Sequence, residues 1–179
     1  MNTSTITPQG KMVTALFNDR ESAERAYETL HARGYGKDDV NLVMSNETRK
    51  AHFGSDEGAK TELGTKAAEG AGVGGAIGGT VGAILAAIAA VGTTIAIPGL
   101  GLVIAGPLAA AIAGAGAGGA AGGLVGALVG WGMPEERVKR YEAGIKQGGI
   151  LMGVRSRSDD DATFFADYWK KNRATDVYS

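Results

Sequence analysis

The sequence predicts an α+β protein in which two polar arms fold together as one layered head, split by an inserted apolar helical segment. Three observations predict it. First, the 65 residues from 70 to 134 contain no ionisable side chain, although charges crowd both flanks. Second, glycines recur every four residues inside that block. Third, each flank alternates short apolar runs with helical periodicity, so strand–helix–strand is written twice. An exposed surface of that length ordinarily carries many charges, so the block is expected to be buried in lipid or in protein.

In the N-terminal arm, residues 12–17 (Met-Val-Thr-Ala-Leu-Phe) form a short apolar strand. Asn18, with Glu21 three residues on, has the form of a capping box. Ala23, Ala26, Tyr27 and Leu30 give one face of an amphipathic helix that stops at Gly34, and residues 40–44 make a second strand. In the C-terminal arm, Pro134-Glu135-Glu136 opens a helix with acids in its first turn. Val138, Tyr141 and Ile145 line one side of it, and Gly148-Gly149 end it. Residues 150–154 read as a strand. Ser158 and Asp159-Asp160-Asp161 cap a helix carrying Ala162, Phe165, Ala166 and Trp169, and residues 175–178 supply the last strand. Two strand–helix–strand halves assemble as a ferredoxin-like βαββαβ sandwich. Neither half is large enough to bury its sheet alone, so the two are expected to pair. The division is 1–45 for the first half, 46–69 for a polar linker or loose helix, 70–133 for the insertion and 134–179 for the remainder.

The insertion reads as a glycine-zipper helical hairpin. Gly70, Gly74, Gly78 and Gly82 form one row, and Gly114, Gly118, Gly122, Gly126 and Gly130 form another. Rows at i, i+4 run along one side of a helix. Each glycine costs ~1 kcal/mol in a helix interior relative to alanine. Close approach of a partner backbone is the compensation such stripes permit. Val73, Ile77, Val81, Ile84, Ile88, Val91 and Ile95 step by threes and fours on the opposite side. Pro98-Gly99 marks the turn, and Pro107 suits the first turn of the returning helix. Each arm then has roughly 25 residues against the ~20 that cross a bilayer. Lys60 and Lys66 before the block, and Arg137, Lys139 and Arg140 after it, place both polar arms in the cytoplasm by the positive-inside rule. Trp131, at the end of the block, is the candidate for headgroup depth. The expected location is a bacterial inner membrane. The alternative is a cytoplasmic oligomer whose hairpins form its dry core.

Other chemistries find little support. Cysteine is absent, which removes disulfides, thiolate metal sites and a thiol nucleophile. A formal charge of −1 gives no basis for binding nucleic acid through phosphate neutralisation. His31 and His52 are too few for a histidine-rich metal site. Gly114 to Gly119 fit G-x-G-x-x-G by chance in a glycine-rich chain, with no strand before them. The acids at 159–161 read as partners of a helix dipole rather than as a cation site. Phe164, Phe165, Tyr168 and Trp169 read as core and interface, since no basic surround suits them to stacking on bases. No catalytic, cofactor-binding or metal-ligating residue is assigned, and no cofactor is expected. The first 20 residues lack the apolar core of a secretory signal.

The run Ile97-Pro98-Gly99-Leu100-Gly101 through Ala105-Gly106-Pro107-Leu108 carries a family likeness. So do Gly122-Gly123-Leu124-Val125-Gly126-Ala127-Leu128, Gly132-Met133-Pro134-Glu135-Glu136 and Tyr141-Glu142 with Gly148-Gly149. Together they resemble a bacterial general stress protein family that joins a ferredoxin-like segment to a glycine-zipper hydrophobic region. The resemblance implies a stress-associated protein and transfers no catalytic residue. The expected function is therefore a non-enzymatic homo-oligomer assembled through its hairpins in or on the membrane, with itself and lipid as partners. The alternatives are a soluble closed particle and a ferredoxin-like sensor of a small ligand.

Overall fold

The computed structural model describes residues 10–36, 38–53, 95–97, 101–114, 125–126, 128–129 and 133–179. In chain order the elements are β1 (Met12–Phe17), α1 (Arg20–Ala32), β2 (Val40–Ser45), α2 (Asn46–Phe53), β3 (Ile95–Ile97) and β4 (Leu102–Ala105). They continue with α3 (Pro107–Gly114), α4 (Glu135–Lys146), β5 (Ile150–Arg155), α5 (Asp159–Lys171) and β6 (Ala174–Tyr178). Among the described residues the strands form one six-stranded sheet in the order β3-β4-β2-β5-β1-β6. Every neighbouring pair is antiparallel. The chain is thus α+β, with both polar arms woven into a single sheet: β5 from the C-terminal arm lies between β1 and β2 from the N-terminal arm.

The helix starts follow from local chemistry. Asp19, rather than Asn18, is the N-cap of α1: its Oδ1 accepts from the Ser22 backbone N–H at 2.7 Å, while Oδ2 accepts from the Ser22 hydroxyl. The helix begins one residue later than the capping-box reading implies, so Glu21 falls in the first turn beside the helix dipole. Ser158 caps α5 by accepting from Asp161 N–H. Residues 46–53, expected as linker or loose helix, are the helix α2. Ser45 Oγ accepts from Thr48 N–H at 3.0 Å at its start.

Strand alternation gives the sheet two apolar faces. Val13, Ala15, Phe17, Val40, Leu42, Met44, Ile150, Met152 and Val154 point to one face. There they meet Ala23, Ala26, Tyr27 and Leu30 of α1 and Ala162, Phe165, Ala166 and Trp169 of α5, the helical faces expected from periodicity. Leu16, Val43, Leu102, Ile104 and Leu151 point to the other. A second layer covers that face: Leu108 and Ala109 of α3, Leu128, Met133, and Val138, Tyr141 and Ile145 of α4. Gly144 lets α4 sit close, because a Cβ there would lie 2.1 Å from Leu16 Cδ2.

The expected hairpin over 70–133 is corrected in its middle. Pro98-Gly99 lie outside the described residues, but the flanking elements are strands. Ile95 pairs with Ile104 and Ile97 with Leu102, and β4 continues onto β2. Ile95, expected on a helical stripe, is thus a strand residue. Short apolar runs are ambiguous in period, and the β-branched content of Ile95, Ile97, Val103 and Ile104 decides here in favour of sheet. The helix at Pro107 starts as expected, yet it seats on the sheet instead of pairing with a first hairpin arm. Part of the uncharged block is therefore buried in the protein's own second core.

Candidate functional site

Polar side chains gather at two places, one buried beneath the second layer and one at the rim between the two arms. Beneath the layer, Thr14 of β1 is 1% exposed and its hydroxyl lies 2.8 Å from Tyr141 Oη. Tyr141 donates its single proton to the Asp176 carbonyl at 2.7 Å, so Thr14 is the donor to Tyr141. A bulge between β1 and β6 places Asp176 in the left-handed region (φ 49°). That conformation aims its carbonyl at the phenol. Burial pushes the Tyr141 pKa up, so the group stays a neutral phenol at ordinary pH.

Asn41 of β2 is buried beside this trio. Its Oδ1 accepts from Leu108 N–H at 2.7 Å, giving α3 the N-terminal acceptor that its own Gly106-Pro107 start cannot supply. Its amide reaches Gly153 O at 3.5 Å. Thr14, Asn41, Leu108, Leu128, Met133 and Gly153 line a cavity of about 10 Å³, room for one water at most. These polar groups fasten the layer to the sheet. None is placed as a nucleophile beside a base.

At the rim, Tyr35 donates to Asp161 Oδ2 at 2.7 Å and accepts from Arg157 N–H at 2.7 Å. Arg33 donates to Asp161 Oδ1, and Arg157 bridges Gly34 O and Asp39 Oδ2 at 3.0 Å each. The Arg157 guanidinium also lies over the Tyr35 ring, and that of Arg33 over Phe164. This network joins the α1–β2 turn to the β5–α5 turn, and so one arm to the other.

The Tyr35 bond holds the Asp161 carboxyl below its ordinary value; burial opposes this and Arg33 reinforces it. A depressed carboxylate stabilises the fold above its unfolded pKa, here 3.8, and that contribution is lost as pH falls through the lower folded value. Asp161→Asn should therefore cost about 1 kcal/mol at neutral pH, a figure discounted for partial exposure. It should also flatten the acid limb of stability against pH. Urea titrations of both proteins at several pH values check this, and parallel acid limbs would count against it.

The sequence candidates are placed as follows. Gly70, Gly74, Gly78, Gly82, Gly118, Gly122, Gly130 and Trp131 lie outside the described residues. Gly114 is the last residue of α3. Gly126 is helical and exposed, and a Cβ there would have nothing within 4 Å, so within one chain it marks no close helix approach. His31 is exposed in the last turn of α1, and the His52 carbonyl accepts from Arg20. Among the described residues no group of three or more His, Asp or Glu is placed to hold a metal ion. Phe165 and Trp169 are core, while Phe164 is 36% exposed and stacks with Tyr168.

Sequence reasoning missed Asn41 and Thr14. Their signal was a polar residue set between the apolar residues of a strand. Comparison with protein-family models, curated proteins and solved structures finds no match in any of the three.

Proposed function

We propose that this chain is a non-enzymatic, self-associating protein: a ferredoxin-like head that presents its glycine-rich segment to a membrane surface and to further copies of itself. Support for the head comes from its strand order. With β3 and β4 set aside, β2-β5-β1-β6 is the order of a βαββαβ sandwich, with α1 and α5 on one face. The likeness to a general stress protein family rests on the residues quoted for it, and the stress role is carried as part of this reading.

The observation that carries the functional reading is where the chain leaves and rejoins the head. It leaves after α2, which packs on β2 and β4, and rejoins at β3, the neighbour of β4. The Asn46 N–H donates to Gly101 O at 2.6 Å, pinning the start of α2 beside the start of β4. Both ends of residues 54–94 therefore lie on the same side of any membrane. The uncharged part, residues 70–94, would give two passes of about 12 residues. Such a pass is ~18 Å long when helical, against a hydrocarbon core of ~30 Å. Nor can a single pass return to the head unless the charged residues 54–69 cross as well. The two full crossings expected from sequence also lose their second arm, because α3 is committed to the sheet. Of "in or on the membrane", the geometry favours on. Among the described residues no helix is long and apolar enough to cross.

Gly118→Leu with Gly122→Leu is expected to abolish assembly. Native mass measurement in mild detergent should then find the single chain where the wild type gives a multimer. An unchanged multimer mass overturns self-association through this row. Vesicle flotation of the wild type tests the lipid half: alkaline or high-salt washing should release a surface-bound protein, and resistance to both would argue for insertion.

A further inference from the structure

We propose that β6 is exchanged between copies: in the assembled protein, the β6 of one copy lies on the β1 of another, in the place its own chain's strand fills in the single molecule. The inference rests on the self-association reading above and names the element that two copies trade. Three observations carry it.

The first is how lightly β6 is held. It is an edge strand whose one neighbour among the described residues is β1. None of its five residues is fully buried, whereas β1 and β5 each have five buried positions and β2 has six. Ala174 and Val177 are only partly buried against the first core, and a bulge breaks the register between Thr14 and Leu16. An element with so little buried apolar surface opens more readily than the fold as a whole.

The second is the turn that ties β6 to its own chain. Asn172 is the C-cap of α5, and Arg173 alone separates it from Ala174. Arg173 has φ 66°, the left-handed conformation that helices ordinarily give to glycine at this position. Opening the turn into extended backbone relieves it. Short hinges under strain favour the trading of an element between copies.

The third is a socket specific for this strand. Tyr141 donates to the Asp176 carbonyl at 2.7 Å, Arg140 lies 3.7 Å from the Asp176 carboxylate, and the Arg137 guanidinium sits 4.7 Å from the centre of the Tyr178 ring. All three groups belong to α4, not to α5, from which the hinge leads. They would hold β6 from either source alike. A strand of another sequence lacks the bulge and these partners, so the occupant is a second copy's β6. The dilute single chain keeps its own strand. Copies gathered by the glycine rows meet each other's β6 at high effective concentration, and relief of the turn then favours exchange.

Cysteine is absent, so full-length Lys11→Cys with Ser179→Cys carries two spin labels and no others. One precedes β1, and the other follows Tyr178, whose partner on β1 is Thr14. The labelled chain is refolded with an excess of unlabelled protein, and label-to-label distances are read by pulsed dipolar spectroscopy. In the multimer the short distance should largely vanish, because labelled β6 then lies on unlabelled chains. Adding Gly118→Leu with Gly122→Leu, which should leave single chains, should restore it. Arg173→Gly removes the left-handed penalty and should favour the closed turn about tenfold. Arg173→Pro, which cannot adopt that φ, should increase exchange; if it fails to fold, the glycine variant still decides.

A short distance retained within the multimer overturns the exchange and leaves self-association standing. Exchange that Arg173→Gly does not reduce overturns the hinge and the proposal built on it. Absence of any multimer removes the self-association reading, and this proposal with it.

Discussion

Gly106→Ala is expected to destabilise the protein by about 3–5 kcal/mol, the sum of a strained backbone and a clash that no rotamer relieves. Gly106 has φ 104°, and a Cβ there would sit 2.3 Å from the Val40 carbonyl oxygen and 3.0 Å from Asn41 Cα. Both obstacles are backbone atoms of a central strand. Moving away from them means lifting the β4–α3 junction off β2, which breaks the Asn41–Leu108 bond as well. Gly101→Ala is the control. It too has a positive φ, 62°, but open space where the methyl group would stand, so it should cost only about 1–2 kcal/mol. Urea denaturation of the two variants, with amide exchange followed at residues 102–110, checks the pair. Equal losses would mean that the second layer is not seated on β2 as described.

Trp169→Ala should cost about 3–5 kcal/mol, the range for removing a fully buried large aromatic. The indole is 0% exposed, lies edge-on to Phe17 at 5.8 Å between ring centres and is stacked on Phe165 at 6.2 Å. It joins α5 to β1 in the core shared by the two arms. Its Nε1 proton has no hydrogen-bond partner, so Trp169→Phe should cost less than its lost volume implies, because a donor desolvated at ~1–3 kcal/mol goes with it. Phe164→Ala, five residues earlier on the outer side of the same helix, should cost under about 1 kcal/mol. Denaturant midpoints rank the three, and a Phe164 variant as damaging as the Trp169 variant would contradict the packing.

The head was legible where one element meets one core. Ala23, Ala26, Tyr27 and Leu30, then Val138, Tyr141 and Ile145, then Ala162, Phe165, Ala166 and Trp169 are the buried residues that a 3.6-residue period marks, because a helix can bury one stripe and no more. The start at Ser158 and the stop near Gly34 follow from capping chemistry contained within a few residues, while the start at Pro107 follows from the fixed φ of proline at a first helical position. Asn18 failed by a single position, since Asp19 beside it is an equally good cap and only the exit of β1 selects between them.

What the amino-acid order determined by itself is thus the set of local elements in the polar arms, their inward faces and the uncharged block between them. The tertiary structure alone decided that part of that block is head: that residues 95–97 and 102–105 pair as strands, that α3 docks on the sheet, and that Asn41 caps it from 67 positions away. The physical reason is that periodicity reports which side of an element is apolar and never which surface will cover it. An uncharged glycine- and alanine-rich run satisfies lipid, another copy or the chain's own sheet equally well. Here the open second face of the sheet, with Thr14 and Asn41 needing partners, made the choice.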